Sequence, residues 1–249
     1  MGKTYVLHIG IFIFLILIND GISQTINTQN ENIIKLPSPM HDSKTSLEQT
    51  LKNRRSIRSY KEDPLLISEI AQIMWAAQGI TEKIKNPPSS WPEKLEWKGG
   101  FRTTPSAGAL YPLDIYVVAC TVKDLSEGVY KYIPQDHSLV RIIKGDKRDE
   151  LSKLDYVRQA AAIVVIAGVY ERTSIKYGDR AKRFVHIEVG HVGQNISLQS
   201  VSLGIGTVVV GAFEDKDLQK ALNLPENEIP FVIMPLGRID TTFKDWYQR

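Results

Sequence analysis

Two segments of the sequence, Leu113–Val122 and Ala160–Val169, are apolar along almost their whole length. A strand with one face in water alternates apolar and polar side chains, because successive side chains point to opposite faces of the sheet. These two segments do not alternate, so both of their faces must be buried. We therefore predict that they are central strands of a sheet.

Helical patterns and further strands surround the two apolar segments. Ser46–Arg54 predicts a short helix capped by Ser46, and Asp63–Gly79 a longer helix with Asp63 as its cap and Pro64 in its first turn. The remaining predicted elements are two helices, a hairpin and a last strand: Asp179–Leu203, Asp215–Leu222, Gly128–Pro134 with His137–Ile143, and Phe231–Leu236. This mixture indicates an α+β or α/β domain with a mixed sheet between helices.

Composition excludes several classes of protein. The chain has 249 residues, of which 43% are hydrophobic, and a formal net charge of +3. These values do not fit a disordered chain. A disulfide scaffold is excluded because Cys120 has no cysteine partner in the sequence. A net charge of this size gives no reason to expect a nucleic-acid partner.

The N-terminal segment Met1–Gln24 has the three parts of a secretory signal. Lys3 precedes an apolar run over residues 5–18, and the small residues Gly21 and Ser23 suit the −3 and −1 positions of a cleavage site. The run is shorter than the roughly 20 residues that cross a membrane as a helix. An uncleaved anchor and a buried core helix are the alternatives.

These features divide the chain into three parts. We predict a signal peptide at residues 1–23, a loose polar arm at 24–45 and one domain at 46–249. The protein is then exported, to the periplasm or outside the cell, and it contacts a membrane only if residues 5–18 stay attached as an anchor.

A basic turn directly after the first predicted helix is the first candidate binding segment. It contains three guanidinium groups and one hydroxyl within five residues: Arg54, Arg55, Ser56 and Arg58. The planar fork of donors on arginine matches the oxygens of a phosphate, and serine adds another donor. The alternative is a solvated basic turn without a ligand.

Three further segments stand at the ends of predicted strands. Pro105–Pro112 is rich in small residues, which let the backbone approach a flat ligand closely, although a plain turn is the alternative. Gly204–Ala212 offers similar backbone contacts. Its Gly-x-Gly follows a helix and enters a strand, which is the reverse of a dinucleotide-binding turn. Gly237-Arg238 follows the last strand, where Arg238 could reach the same phosphate.

The segment Thr81–Thr104 contains three prolines together with Trp91 and Trp97. It is too irregular for a helix or strand and long for a loop. Long loops of this kind often serve as functional lids. We predict that the two tryptophans shape a substrate cavity, or alternatively that they pack at an interface between subunits.

Three other features are expected to have no catalytic role. His186 and His191 flank Glu188, but a spacing of five residues places the two imidazoles about 140° apart around a helix, so no metal site is predicted. Cys120 lies in an apolar strand and is expected to be a buried, inert thiol. Asn195 begins a glycosylation sequence in the middle of a helix, where we do not expect modification.

The order and spacing of the candidate segments resemble the nitroreductase family of flavin enzymes, and most closely its SagB-type branch, which includes proteins similar to thiazole and oxazole oxidases. The resemblance extends from about Ser46 to Arg238. The segments that carry it are Arg54–Tyr60 (RRSIRSY), Pro105–Pro112 (PSAGALYP), Lys176–Arg180 (KYGDR), His186–Asn195 (HIEVGHVGQN), Leu203–Phe213 and Pro235–Arg238 (PLGR).

The resemblance implies an α+β fold, with a mixed or antiparallel sheet sandwiched by helices and FMN bound at a homodimer interface. The residues that it implies for the phosphate and ribityl chain are Arg54, Arg55, Ser56 and Arg58, with Arg238 assisting. It implies that Pro105, Ser106, Ala107, Gly108 and Ala109 border the isoalloxazine. It also implies that Val210, Gly211 and Ala212 lie near its N5 edge, and it adds Gln194 and Asn195 to the cofactor site.

The resemblance also implies a catalytic role for Lys176 and Tyr177, because a Lys–Tyr pair acts in the azoline-oxidising members. A surface lysine is the alternative for Lys176. The implied reaction is ping-pong: a small-molecule donor passes a hydride to flavin N5, and a small-molecule acceptor then takes the electrons.

We expect a stand-alone FMN-dependent oxidoreductase and not an azoline oxidase. The chain leaves no room for a leader-peptide-recognition domain, and azole formation is expected inside the cell, whereas this chain carries an export signal. Two alternatives stay open: an azoline oxidase that uses Lys176 and Tyr177, and a non-catalytic flavin-binding protein of the cell surface.

Overall fold

The computed structural model describes residues 32–89 and 91–242, so the predicted signal peptide lies outside the described residues. The strands are β1 (Ile33–Lys35), β2 (Tyr60–Lys61), β3 (Leu65–Leu66), β4 (Ile80–Lys83), β5 (Gly100–Arg102), β6 (Leu113–Ala119), β7 (Val122–Lys123), β8 (Gly128–Ile133), β9 (Ser138–Lys144), β10 (Ala162–Gly168), β11 (Ile205–Thr207) and β12 (Ile229–Ile239). The helices are α1 (Leu47–Asn53), α2 (Ile67–Gln78), α3 (Arg148–Leu151), α4 (Asp155–Arg158), α5 (Glu171–Tyr177), α6 (Ala181–Ser202) and α7 (Asp215–Ala221).

The two apolar segments form neighbouring strands, β6 and β10, in the middle of the largest sheet. The order of strands in this sheet is β1-β9-β8-β6-β10-β12-β11, and β2 adds to β12. Val164, Val165 and Ile166 are completely buried, although their side chains point alternately to the two faces. The prediction of central strands is confirmed. The paired strands described in this sheet run antiparallel, while β3 and β7 form a separate parallel pair.

Helices cover both faces of the sheet, which confirms the predicted α+β class. On one face, Ile73 of α2 and Val192 of α6 belong to a buried cluster with Val164. On the other face, Leu151 of α3 and Leu218 of α7 belong to a second cluster around the alternate side chains of β10. Full burial of an aliphatic side chain stabilises the fold by about 1.5–3 kcal/mol.

One predicted helix start is confirmed and another is wrong. Ser46 caps α1, because its hydroxyl oxygen accepts the Gln49 N–H at 3.2 Å. Asp63 does not cap α2, which begins four residues later, at Ile67. The chain first pairs β3 with β7, and the side chain of Glu69 then accepts the Leu66 N–H at 2.8 Å. The sequence pattern could not show that a strand pair occupies the position of the expected first turn.

Two segments predicted to be irregular contain strands. The polar arm at 24–45 was expected to be loose. It contains β1, which pairs with β9, and its Leu36 is buried. The segment Thr81–Thr104 likewise contains part of a hairpin, because β4 pairs with β5. A short strand shows no period of its own, so its partner strand decides whether it forms.

No helix within the described ranges, 32–89 and 91–242, is both long enough and apolar enough to cross a bilayer.

We expect Ile166→Ala to lower the free energy of unfolding by about 2–5 kcal/mol, because it leaves a cavity between the central strands and the helices. Urea unfolding followed by circular dichroism measures this loss. Ile142→Ala is the matched control, because Ile142 on β9 is 38% exposed, and it should cost less than about 1 kcal/mol. Equal losses in the two variants would contradict the central position of β10.

Candidate functional site

Loop 105–111, between β5 and β6, has an unusual backbone. Gly108, Ala109 and Tyr111 have positive φ angles of 65°, 55° and 46°. These angles cost glycine little, but they strain Ala109 and Tyr111, which carry a Cβ atom. The Ser106 hydroxyl oxygen accepts the Tyr111 N–H at 2.9 Å and so closes the loop. Backbone strain that is held in this way is typical of ligand sites.

The two residues predicted to be catalytic, Lys176 and Tyr177, lie against this loop at the end of α5. A Cβ atom at Gly108 would be 3.0 Å from the Tyr177 hydroxyl oxygen and 3.3 Å from Lys176 Nζ. Lys176 is exposed, and Tyr177 is half-buried with its ring 4.9 Å from that of Phe184. The structure thus brings together two motifs that are far apart in the sequence.

Asn195 on α6 supports the chain that leads into the loop. Its side-chain nitrogen lies 3.1 Å from the carbonyl oxygen of Ala76, 3.3 Å from that of Thr103 and 3.0 Å from the Thr104 hydroxyl oxygen. These contacts agree with the expectation that Asn195 is not a glycosylation site. Gln194 is exposed on the same helix, and its contact with a flavin stays a prediction.

Glu188 on α6 is buried close to the loop and was not predicted as a site residue, because its position between His186 and His191 suggested only a metal site. It is 2% exposed, and its carboxylate accepts a hydrogen bond from Gln78 Nε2 at 3.4 Å. Burial raises its pKa to about 7, against the opposing effects of Ser106, Gln78 and the Arg102 guanidinium. The signal available in the sequence was an acidic residue at a position of a long helix that faces the core.

The basic turn lies alongside β11. The Ile57 N–H donates to the Thr207 carbonyl oxygen at 2.9 Å, so the turn follows the edge of the sheet. Arg55 Nη1 donates to the carbonyl oxygens of Lys52 and Arg54 at 3.0 and 2.7 Å. The Arg58 guanidinium carbon is 6.0 Å from the centre of the Tyr156 ring.

The electrostatics of this turn leave its cations available. None of its three arginines forms an ion pair with a carboxylate in the part of the chain that the structure describes. Arg54 is half-buried at the end of α1, and Ser56 beside it is half-buried as well. The guanidinium groups of Arg54 and Arg58 and the Ser56 hydroxyl can therefore accommodate an anion.

The segment that follows β11 is open to solvent. Val210 exchanges two hydrogen bonds of 2.9 Å with Ile233, and Gly211 and Ala212 beyond it are exposed. Nothing lies within 4 Å of a Cβ atom placed on Gly211. No hydrogen bond or ion pair between described residues joins this segment or the basic turn to loop 105–111. We call the basic turn with residues 210–212 one half of the candidate site, and loop 105–111 with Lys176 and Tyr177 the other half.

Arg238, expected to assist in phosphate binding, is held by another residue. Its two terminal nitrogens donate to the two carboxylate oxygens of Glu69, both at 2.8 Å. This bidentate pair neutralises Arg238 and joins β12 to the start of α2. The sequence could not reveal the pair, because the partners lie on elements far apart in the chain. A phosphate contact by Arg238 stays a prediction.

A cavity of about 400 Å³ lies between the β4–β5 hairpin and the sheet, and Trp97 lines it. Asp114 on its wall lies 2.8 Å from Arg172 and 2.9 Å from Lys131. Burial alone would raise the pKa of Asp114, but the two cations outweigh burial and lower the pKa to about 2. Trp91 touches Trp97 edge to face at 4.8 Å between ring centres, so the predicted tryptophan segment does border a cavity.

The residues set aside in the sequence analysis have structural contacts. His186 Nε2 lies 2.6 Å from the Tyr170 hydroxyl oxygen, and the buried Cys120 thiol has a raised pKa, mainly because of desolvation. Over residues 32–89 and 91–242, no three acidic, histidine or cysteine side chains are arranged to hold a metal ion.

An antiparallel sheet between helices defines an α+β domain, and a strained loop and an unpaired basic turn form its candidate site. Comparison with known proteins identifies its family. Residues 51–238 match the model of the nitroreductase family, and this chain belongs to that family.

Individual relatives agree with this assignment. A Methanocaldococcus jannaschii protein assigned as a nitroreductase is 44% identical over 196 residues, which cover 77% of this chain and 90% of the relative. The crystal structure of a Ralstonia eutropha protein with the same assignment has a TM-score of 0.71 and 27% identity, and the match covers 84% of this chain and 90% of that one. The microcin B17-processing protein McbC of Escherichia coli is 25% identical over 157 residues, 56% of this chain and 55% of McbC.

We expect Arg238→Gln to lower the free energy of unfolding by about 1–3 kcal/mol, because it leaves the Glu69 carboxylate without its cation. Urea unfolding measures the loss, and Glu69→Gln should produce a similar one. The double variant should lose less than the sum of the two single variants. Additive losses would show that the two side chains act independently, contrary to the structure.

Proposed function

We propose that this protein is an FMN-dependent oxidoreductase of the SagB-type branch, which passes electrons from a small-molecule donor to a small-molecule acceptor. One observation carries the proposal: Gly108 in loop 105–111 lies against Lys176 and Tyr177. Both segments belong to the motifs that resemble this branch, and their contact forms a surface with an exposed glycine and two proton-carrying groups.

The residues present fit FMN by their chemistry. A phosphate dianion requires cations that no carboxylate has neutralised, and Arg54, Ser56 and Arg58 meet this requirement. A planar ring requires backbone without bulky side chains, and Gly108 and Gly211 supply it. We propose that Arg55 adds positive charge beside the phosphate, and that residues 105–109 and 210–212 border the planar ring.

FMN, when bound, would supply the redox chemistry that connects the donor and the acceptor. The chain binds and orients the cofactor and moves protons. Lys176 Nζ and Tyr177 Oη are the polar groups at Gly108, so we propose that they exchange the proton of the second substrate. The cavity lined by Trp97 would then admit or position one of the substrates.

We propose a homodimer, in which a partner copy completes the two halves of the site. Four large apolar side chains that flank the proposed cofactor segments are about half exposed or more: Leu47, Leu51, Ile187 and Val209. A partner subunit would remove these side chains from water, which favours association. We also propose export of the protein on the pattern of residues 1–23, so a quinone or another reductant could replace a cytosolic nicotinamide.

We expect the purified protein to be yellow, and we expect its flavin band to bleach with a reductant and return with an acceptor. Arg54→Ala with Arg58→Ala should weaken FMN binding by at least tenfold, because the phosphate loses both guanidinium groups. Quenching of FMN fluorescence on titration measures the dissociation constant.

The matched control removes two charges elsewhere. Lys123→Ala with Lys144→Ala changes two exposed lysines on β7 and β9 and should leave the FMN affinity within about threefold, since exposed charges distant from the ligand are screened. A colourless protein that binds no FMN would contradict the proposed function. FMN that stays bound but never turns over with any donor and acceptor would favour a non-catalytic flavin-binding protein.

A second candidate function is azoline oxidation, and the similarity to the microcin B17-processing protein favours it. That likeness covers about half of each chain, so it supports a shared branch more strongly than a shared substrate. We therefore place azoline oxidation second to a general FMN oxidoreductase.

We expect Lys176→Ala and Tyr177→Phe each to reduce turnover by about 10²-fold or more, because each removes a group that can transfer a proton. FMN affinity should stay within about threefold, as the fluorescence titration would show. Lys182→Ala, an exposed lysine on α6, is the control and should keep wild-type turnover. Wild-type turnover in both pair variants would assign Lys176 and Tyr177 a structural role.

A further inference from the structure

The cavity lined by Trp97 contains a cation without an anionic partner. Arg102 on β5 lines this cavity, and its Nη1 donates to Gln78 Oε1 at 2.8 Å. Arg102 forms no ion pair with a carboxylate in the part of the chain that the structure describes. A guanidinium group that is partly removed from water is stabilised by an anion, so this side chain is suited to bind one.

The carboxylates around the cavity are held by other groups. The three that line it each lie within 4.0 Å of a cation: Asp114 of Arg172 and Lys131, Glu96 of Lys98, and Asp136 of Lys35. Glu188 lies beyond Gln78, whose Nε2 donates to its carboxylate at 3.4 Å. A neutral amide therefore separates the Glu188 carboxylate from the Arg102 guanidinium.

The contacts of the Arg102 guanidinium leave part of its donor fork available. The guanidinium carbon lies 4.4 Å from the centre of the Tyr111 ring, which covers one face. The Arg102 backbone N–H donates to the Tyr111 hydroxyl oxygen at 3.1 Å, so the two residues hold each other in place. Nε is buried without a hydrogen-bond partner among the described residues, and Nη2 is unpaired there too but is not buried. Nη2 can therefore donate to a ligand in the cavity.

Aromatic and aliphatic side chains form another part of the cavity wall. The Trp97 indole N–H donates to the Ile84 carbonyl oxygen at 2.7 Å, which fixes the ring in position. Leu113 and Tyr132, also in the lining, are 2% and 3% exposed. A volume of about 400 Å³, apolar surface and a few polar groups are typical of sites for small organic molecules.

This cavity is a different place from the proposed flavin site, although it adjoins it. Its lining includes none of the residues that we propose to contact FMN or to exchange protons. Tyr111 ends loop 105–111, and Arg172 lies on α5 one helical turn before Lys176. A ligand in the cavity would therefore lie behind the same loop and helix that carry the proposed catalytic pair.

We propose that this cavity binds a small organic acid, whose single carboxylate pairs with Arg102 and whose hydrocarbon part lies against the wall at Trp97. One unpaired cation matches one carboxylate, whereas a dianion would place excess negative charge near Asp114. The inference deepens the proposed function, in which a substrate enters this cavity, and it rests on that function where the acid is this substrate. Binding of the acid requires neither FMN nor turnover.

The first experiment compares acids with their neutral amides by isothermal titration calorimetry of the full chain. The probes are benzoate and hexanoate, one aromatic and one aliphatic, with benzamide and hexanamide as their neutral counterparts. We expect at least one acid to bind with a dissociation constant of about 1 mM or lower. Its amide should bind at least about tenfold more weakly, because it forms no charge-assisted hydrogen bond with Arg102.

The second experiment repeats the titration with arginine variants. Arg102→Gln should weaken binding of the acid by at least about tenfold, because it removes the cation. Arg102→Lys should weaken it less, since lysine keeps the charge but loses the planar fork. Arg141→Gln is the matched control: Arg141 on β9 also has a buried Nε without a described partner, but it does not line the cavity. Its affinity for the acid should stay within about threefold of the wild type.

A variant of the opposite wall locates the ligand even if the Arg102 variants fail to fold. Trp97→Ala should weaken binding of the acid by about fivefold, because the ligand loses apolar contact. Ile142→Ala, which changes a side chain outside the cavity, should leave the affinity unchanged. Circular dichroism confirms that each variant is folded.

A titration of FMN separates this inference from the proposed function. Saturating acid should leave the dissociation constant of FMN within about threefold, because the two ligands contact different residues. Competition between them would place both in one site and overturn the inference. Protein that binds the acid through Arg102 but binds no FMN would contradict the proposed function alone. Protein that binds FMN but neither acid would contradict the inference alone.

Three further results would overturn the inference. The first is equal affinity for an acid and its amide. The second is wild-type affinity for the acid in folded Arg102→Gln, or an equal loss in Arg141→Gln, which would indicate a general effect of charge. The third is wild-type affinity in Trp97→Ala, which would place the acid outside the cavity.

Discussion

Burial of β6 and β10 on both faces is the constraint that sets the position of the candidate site. The two strands are antiparallel, and Leu113 at the start of β6 pairs with Gly168 at the end of β10. The loop that enters β6 and the helix that follows β10 must therefore meet at the same end of these two strands. This pairing explains why Gly108 lies against Lys176 and Tyr177, although the sequence separates them widely.

The helices that cover the sheet complete the site from below. α6 packs its apolar side against β10 through residues such as Val192, and it carries Glu188 and Asn195 to the underside of loop 105–111 and the residues before it. Apolar burial thus orients polar groups that could not stabilise the arrangement alone. The arrangement follows a general rule, in which rigid elements hold the loops that bind ligands.

The two halves of the site differ in charge. The basic turn presents three arginines without acidic partners among the described residues, whereas the half at loop 105–111 presents one lysine, Lys176, beside the Tyr177 hydroxyl and has the buried carboxyl of Glu188 nearby. Arg238 lies in a bidentate pair with Glu69, which neutralises its charge within the chain. A ligand with an anionic end and a flat neutral end would match this division, and FMN has that form. The division also explains why a modest net charge says little about local binding.

The sequence by itself determined the central strands, the long helix, the cap at Ser46 and the order of the motifs. Each of these depends on residues close together in the chain, whose pattern reports burial or local hydrogen bonding. Only the tertiary structure decided the edge strand β1, the false cap at Asp63, the Arg238–Glu69 pair and the burial of Glu188 beneath the loop. These depend on the register between distant elements, and one element's periodicity carries no information about the partner that it will meet.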